Sequence, residues 1–101
     1  MRKVSQTVIN AFLANTEAKH GNSSVTIEND PSVGRVVYLK LHGNKIARKP
    51  IGSPTFEISN AGWFSHTTKE RLNGLPGVSI NQKDFEWFLN GNRWNGEWTI
   101  I

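Results

Sequence analysis

Two pairs of adjacent glycine and asparagine, each following an alternating run of hydrophobic and polar residues, constrain this chain most strongly. A two-residue loop made from such a pair closes a β-hairpin, because both residues tolerate the positive φ that matches the twist of the flanking strands. Asn90-Gly91 follows Trp87-Phe88-Leu89 and predicts Phe88 opposite Arg93 and Trp87 opposite Trp94. Gly43-Asn44 follows residues 35–41, where Val37, Leu39 and Leu41 alternate with Tyr38, Lys40 and His42. It predicts Leu41 opposite Ile46 and His42 opposite Lys45. One apolar face at period two means a half-buried antiparallel strand.

The remaining pattern is consistent with a mixed fold. Val4, Val8, Ile9, Phe12 and Leu13 recur at helical spacing, with Ser5 as a cap and Gly21-Asn22 as the stop after Lys19 and His20. Residues 24–27 read as a short strand, Asn29-Asp30-Pro31 as a turn and residues 49–54 as a loop. Residues 55–59 form a strand with Phe56 and Ile58 inward. Thr67 and Glu70 make a T-x-x-E capping box, so a second helix opens near Thr67 and ends at Asn73-Gly74 before a Pro76-Gly77 turn. Val78 with Ile80, and Phe85 with Trp87 and Leu89, face one way in the late strands. Asn95-Gly96 gives a second turn or a bulge, and residues 98–101 can close the sheet. The predicted class is α+β: a small antiparallel sheet of five to seven short strands, an N-terminal helix and one short inserted helix. No linker divides residues 1–101, so one domain is expected.

Composition narrows the chemistry. The chain has 101 residues, 37% of them hydrophobic, four tryptophans and no cysteine. Disulfides and thiolate metal or redox sites are excluded. His20, His42 and His66 show no metal-ligand spacing. No nucleophile elbow, phosphate-binding loop or H-E-x-x-H motif is present. A non-enzymatic protein without cofactor or metal is expected. Residues 1–3 lead into an amphipathic segment, so no signal peptide is expected, and no apolar run approaches a membrane span.

The net charge is +4 and unevenly spread. Arg35, Lys40, Lys45, Arg48 and Lys49 lie between Pro31 and Phe56 without an intervening carboxylate. Cations on a β-ribbon can track phosphates. Tyr38 and His42 interleave with them, as on a surface that combines stacking with electrostatics. A solvated sheet face with lysines blunting an edge has the same composition. At the second helix, Thr68, Lys69 and Arg71 flank amides that could hold a phosphate or simply be capped. Core positions are expected for Trp63, Trp87, Trp94 and Trp98. Phe88 beside Arg93 is either a cation–π pair or an exposed patch.

The blocks H-G-N-x-I-A, G-W-x-x-x-T-T-x-x-R-L-N and W-[FY]-L-N-G-x-x-W-[ND]-G, read between Leu39 and Glu97, resemble those of a family of small tailed-phage proteins. The resemblance implies a phage product acting in the bacterial host cytoplasm and carries over no functional residue. Small proteins of this type bind nucleic acid or a host protein, and some neutralise host defences such as CRISPR systems. The expected function is therefore nucleic-acid binding through the basic hairpin, with Thr68, Lys69 and Arg71 adding a phosphate site. The alternative is an anti-defence protein, for example an anti-CRISPR, that binds a host protein or nucleoprotein complex. A virion assembly role is a third reading, and the late hairpin edge could pair with a second copy as a homodimer.

Overall fold

The computed structural model describes residues 3–101, with side chains from residue 6 onward. In chain order these residues form α1 (Lys3–Leu13), β1 (Ala18–His20), β2 (Ser23–Asp30), β3 (Gly34–Leu41), β4 (Asn44–Pro50) and β5 (Glu57–Ile58). There follow α2 (His66–Asn73), β6 (Ile80–Lys83), β7 (Glu86–Leu89), β8 (Asn92–Arg93) and β9 (Thr99–Ile100). The fold is α+β, as expected. All strand pairs are antiparallel, in a six-stranded sheet of order β1-β2-β3-β4-β5-β9 and a three-stranded sheet β6-β7-β8.

Helix α1 buries Val8, Ile9 and Phe12 against β1, β2 and β3. Each such side chain contributes about 1.5–3 kcal/mol. Ser5 lies inside the helix and so does not cap it; the side chains of Val4 and Ser5 lie outside the described residues. The helix also ends earlier than Gly21-Asn22. Asn15 takes a left-handed conformation (φ 58°), and the Thr16 and Asn15 amides return to the carbonyls of Ala11 and Phe12, at 3.0 and 3.3 Å. That closure satisfies the last helical carbonyls and stops the helix. Lys19 and His20 then enter β1, and Gly21-Asn22 becomes the turn into β2.

The β3–β4 turn sits one residue earlier than predicted, which moves the pairing by two residues at the tip and by one beyond the bulge. His42 and Gly43 fill the loop with φ of 52° and 80°, so Leu41 faces Asn44 and Lys40 faces Lys45. Histidine is among the residues that tolerate this backbone region. A bulge follows, because Leu39 faces Ala47, and the extra residue Ile46 is buried in the core.

The late hairpin keeps its predicted register. Phe88 pairs with Arg93, and the Trp94 amide donates to the Trp87 carbonyl at 2.9 Å. The Trp87 and Trp94 rings lie 6.2 Å apart between centroids. Phe85 departs from expectation: Asp84 and Phe85 form the β6–β7 turn with φ of 52° and 65°, leaving the ring 96% exposed. Arg93 reaches Glu86 at 3.1 Å. Trp63 is not a core residue either, being 61% exposed, whereas Trp87 and Trp94 are buried.

Helix α2 opens two residues earlier than the capping box implied. Ser65 is the N-cap, its hydroxyl accepting from the Thr68 amide at 3.1 Å. Thr67 is already helical, and Glu70 accepts from Arg71 instead of closing a box. The Asn73 carboxamide accepts from the Ile80 amide and donates to its carbonyl, which ties α2 to the second sheet. Residues of both helices and both sheets share one hydrophobic cluster. Among the described residues no helix is long and apolar enough to cross a membrane.

Candidate functional site

Alternation along β3 assigns two faces to the large sheet. Val25, Val37, Leu39, Ala47 and Ile58 join α1 in the core. The opposite face carries the cross-strand row Thr26, Tyr38, Arg48 and Glu57, with Ser24 and Lys40 in the next row. Tyr38 is buried yet belongs to no part of the core cluster. It is roofed by Lys45, whose ammonium sits 4.1 Å above the ring centroid. The Arg48 guanidinium sits 4.0 Å above Trp98 in the same way. The charged heads themselves therefore sit over aromatic ring faces at the surface of the sheet.

Two carboxylates hold these cations in place. Glu28 accepts from Lys40 at 2.6 Å and from the Thr26 hydroxyl at 2.9 Å, and lies 3.5 Å from Lys45. Glu57 accepts from Arg48 Nε at 3.0 Å. The hydrogen bond from Lys40 is the main reason that the Glu28 carboxyl sits below the usual carboxylate range, and the Thr26 hydroxyl adds to it. A depressed carboxyl stabilises the fold above its unfolded value and loses that contribution as pH falls through the folded value. Glu28→Gln should thus shrink the drop in Tm between neutral and acid pH. A drop as large as that of the wild type would remove Glu28 from the acid response.

The ten residues singled out from sequence do not form one surface. Tyr38, Lys40, Lys45 and Arg48 gather on the outer face. Arg35, two residues before Val37, belongs by alternation to the helix-covered face at the exposed start of β3. Lys49 is nine-tenths buried on that same side and donates to the Leu13 carbonyl at 2.9 Å, completing the end of α1. Burial pushes its ammonium below the ordinary lysine value. Arg71 is also buried. Its Nε donates to the Ser23 hydroxyl at 2.9 Å and its fork to Glu70, which pins α2 to β2. Thr68 is buried against the Ser65 hydroxyl at 2.9 Å, and Lys69 reaches Gln82 at 3.4 Å. Lys49, Thr68 and Arg71 therefore hold the fold together, because their polar atoms are turned inward.

His42 stands apart at the hairpin tip, with Nε2 3.2 Å from the Asn22 carboxamide nitrogen. It meets Thr68 around a cavity of about 320 Å³ between the hairpin tip and the start of α2, walled by Trp63. Sequence reasoning missed Trp63, Asn44 and Ser65 at this cavity and Trp98 on the outer face. The signal for Trp63 lay in Ala61-Gly62, a left-handed turn (φ 55° and 85°) that lifts the next residues off the sheet.

Among the described residues no cluster of three or more metal-ligating side chains occurs. No curated protein and no solved structure matches the chain. A family model described as Kyanoviridae Gp96 protein matches residues 1–99. Nearly the whole chain is matched, and it therefore belongs to the Kyanoviridae Gp96 family of phage proteins.

Proposed function

We propose that this chain is a non-enzymatic phage accessory protein that binds nucleic acid in the host cytoplasm through the outer face of its large sheet. The observation that carries the reading is the pair of cation-on-ring stacks, Lys45 on Tyr38 and Arg48 on Trp98, beside Lys40. Neighbouring cations on a sheet suit a phosphate backbone, and the rings beneath them fix where those cations stand. Glu28 and Glu57 hold the cations extended in advance and offset part of their charge.

Lys45→Glu combined with Arg48→Glu should weaken oligonucleotide binding and lower the salt slope by about two units, roughly one per lost phosphate contact. Arg35→Glu, on the other side of the sheet, serves as the comparison and should change the slope little. Equal effects from the two variants would remove the outer face from the interface.

A second reading, an anti-defence protein that binds a host protein complex, is favoured by Phe85, an almost fully exposed ring at the β6–β7 turn. Exposed aromatic side chains are enriched at protein interfaces. Capture from host lysate that survives nuclease treatment and is lost in Phe85→Ser would support it.

A further inference from the structure

We propose that the cavity between the β3–β4 hairpin tip and α2 is a receptacle for one nucleobase, taken from a free nucleotide or from an unstacked position in a strand. The strand-borne case rests on the nucleic-acid reading above. Four features of the cavity lead to this assignment.

The first is size. A volume of about 320 Å³ lies at the small end of ligand pockets and suits one ring system better than a folded peptide segment. The second is the wall. Trp87 packs against Phe64 and Trp94, and Trp98 lies under Arg48. Trp63 has no ring or cation partner among the described residues and is 61% exposed, so its face is available for stacking. Base–aromatic stacking tolerates any sequence, because every base has a π-face.

The third feature is the polar rim. Asn44 and Thr67 line the cavity, and neither side chain has a hydrogen-bond partner among the described residues. A carboxamide offers a donor and an acceptor side by side, the arrangement that reads a base edge in bidentate fashion. Beneath that rim, Leu41 and Ile46 are buried and apolar, which excludes water from under a bound ring. The fourth is charge. No carboxylate lines the cavity. Lys40 and Lys45 belong to the outer face, so the lining offers an attached phosphate no lysine, but also no negative charge to repel it.

The test uses isothermal titration calorimetry of the full chain, a readout that does not depend on Trp63 as a reporter. Probes are the four common nucleoside monophosphates, ribose 5-phosphate, an aromatic dipeptide and a short single-stranded oligonucleotide. Saturable binding of at least one nucleoside monophosphate is expected, with ribose 5-phosphate inert. Trp63→Leu, at an exposed position that leaves the core intact, should weaken it at least tenfold. Asn44→Ala should weaken it less and level the preference among bases. If only the oligonucleotide binds, and Trp63→Leu weakens it several-fold, the base comes from a strand. Binding of every probe by Trp63→Leu at wild-type strength overturns the proposal, as does saturation by the dipeptide alone. The outer-face reading is scored separately. Oligonucleotide binding kept by Trp63→Leu but lost by the Lys45→Glu, Arg48→Glu double variant leaves that face standing while the cavity falls. Monophosphate binding without oligonucleotide binding gives the reverse.

Discussion

Trp87→Ala is expected to lose about 3–5 kcal/mol of unfolding free energy, the range for truncating a buried aromatic core residue. The ring is 2% exposed, packs edge-on against Phe64 at 5.2 Å and lies beside Trp94. It also belongs to the hydrophobic cluster to which both sheets contribute. The indole N–H is buried without a partner among the described residues. Trp87→Phe forfeits packing alone and no hydrogen bond, and should cost clearly less than alanine. Denaturant unfolding of the two variants checks both statements. A loss below about 1 kcal/mol for Trp87→Ala would mean that the ring is not a core element.

Gly96→Ala is the second large effect, and it comes from backbone geometry. Gly96 has φ of 89°, and its carbonyl accepts from the Asn60 amide at 3.0 Å and the Ser59 hydroxyl at 2.8 Å. These bonds clamp the loop after β8 onto the exit of β5. A Cβ on Gly96 would be driven into the Asn60 carboxamide, which is itself buried. Gly91 has nearly the same φ, 88°, but open space around it. Gly91→Ala therefore reports the left-handed strain alone, and Gly96→Ala reports strain plus overpacking. The expected difference is about 1–3 kcal/mol. Equal losses would show that Asn60 moves aside freely.

Much of this fold was legible where one local signal dominated. Asn90-Gly91 set the late register correctly because no neighbouring pair competed for the turn. At the earlier hairpin His42-Gly43 competed with Gly43-Asn44, and the neighbour containing histidine won, moving the pairings by two residues at the tip and by one beyond the bulge. The end of α1 was misplaced because Asn15 is a quieter stop than Gly21-Asn22. Two adequate caps overlapped at α2, and Ser65 prevailed while Glu70 went to Arg71.

The candidate site divides in the same way. Tyr38 and Lys40 shared a face by alternation, as expected. Lys49 was counted as a surface charge although alternation from Arg48 turns it toward α1. Arg71 sits with Thr68 and Leu72 on the inward stripe of α2, Thr68 at position i, Arg71 at i+3 and Leu72 at i+4. Counting charges without placing them on faces concealed both. The cavity was illegible for a different reason. It joins a hairpin tip to a loop about twenty residues away, and no local pattern reports such a contact.

The central claim is that nucleic acid is the partner, and fluorescence anisotropy of the intact chain with a labelled single-stranded oligonucleotide tests it most directly. If Lys40, Lys45 and Arg48 each contact a phosphate as proposed, the log–log salt slope is expected at about −2 to −3. Affinity should then fall roughly 20- to 60-fold between about 50 and 200 mM salt. No binding at the low-salt end, or binding that salt leaves unchanged, would contradict the account.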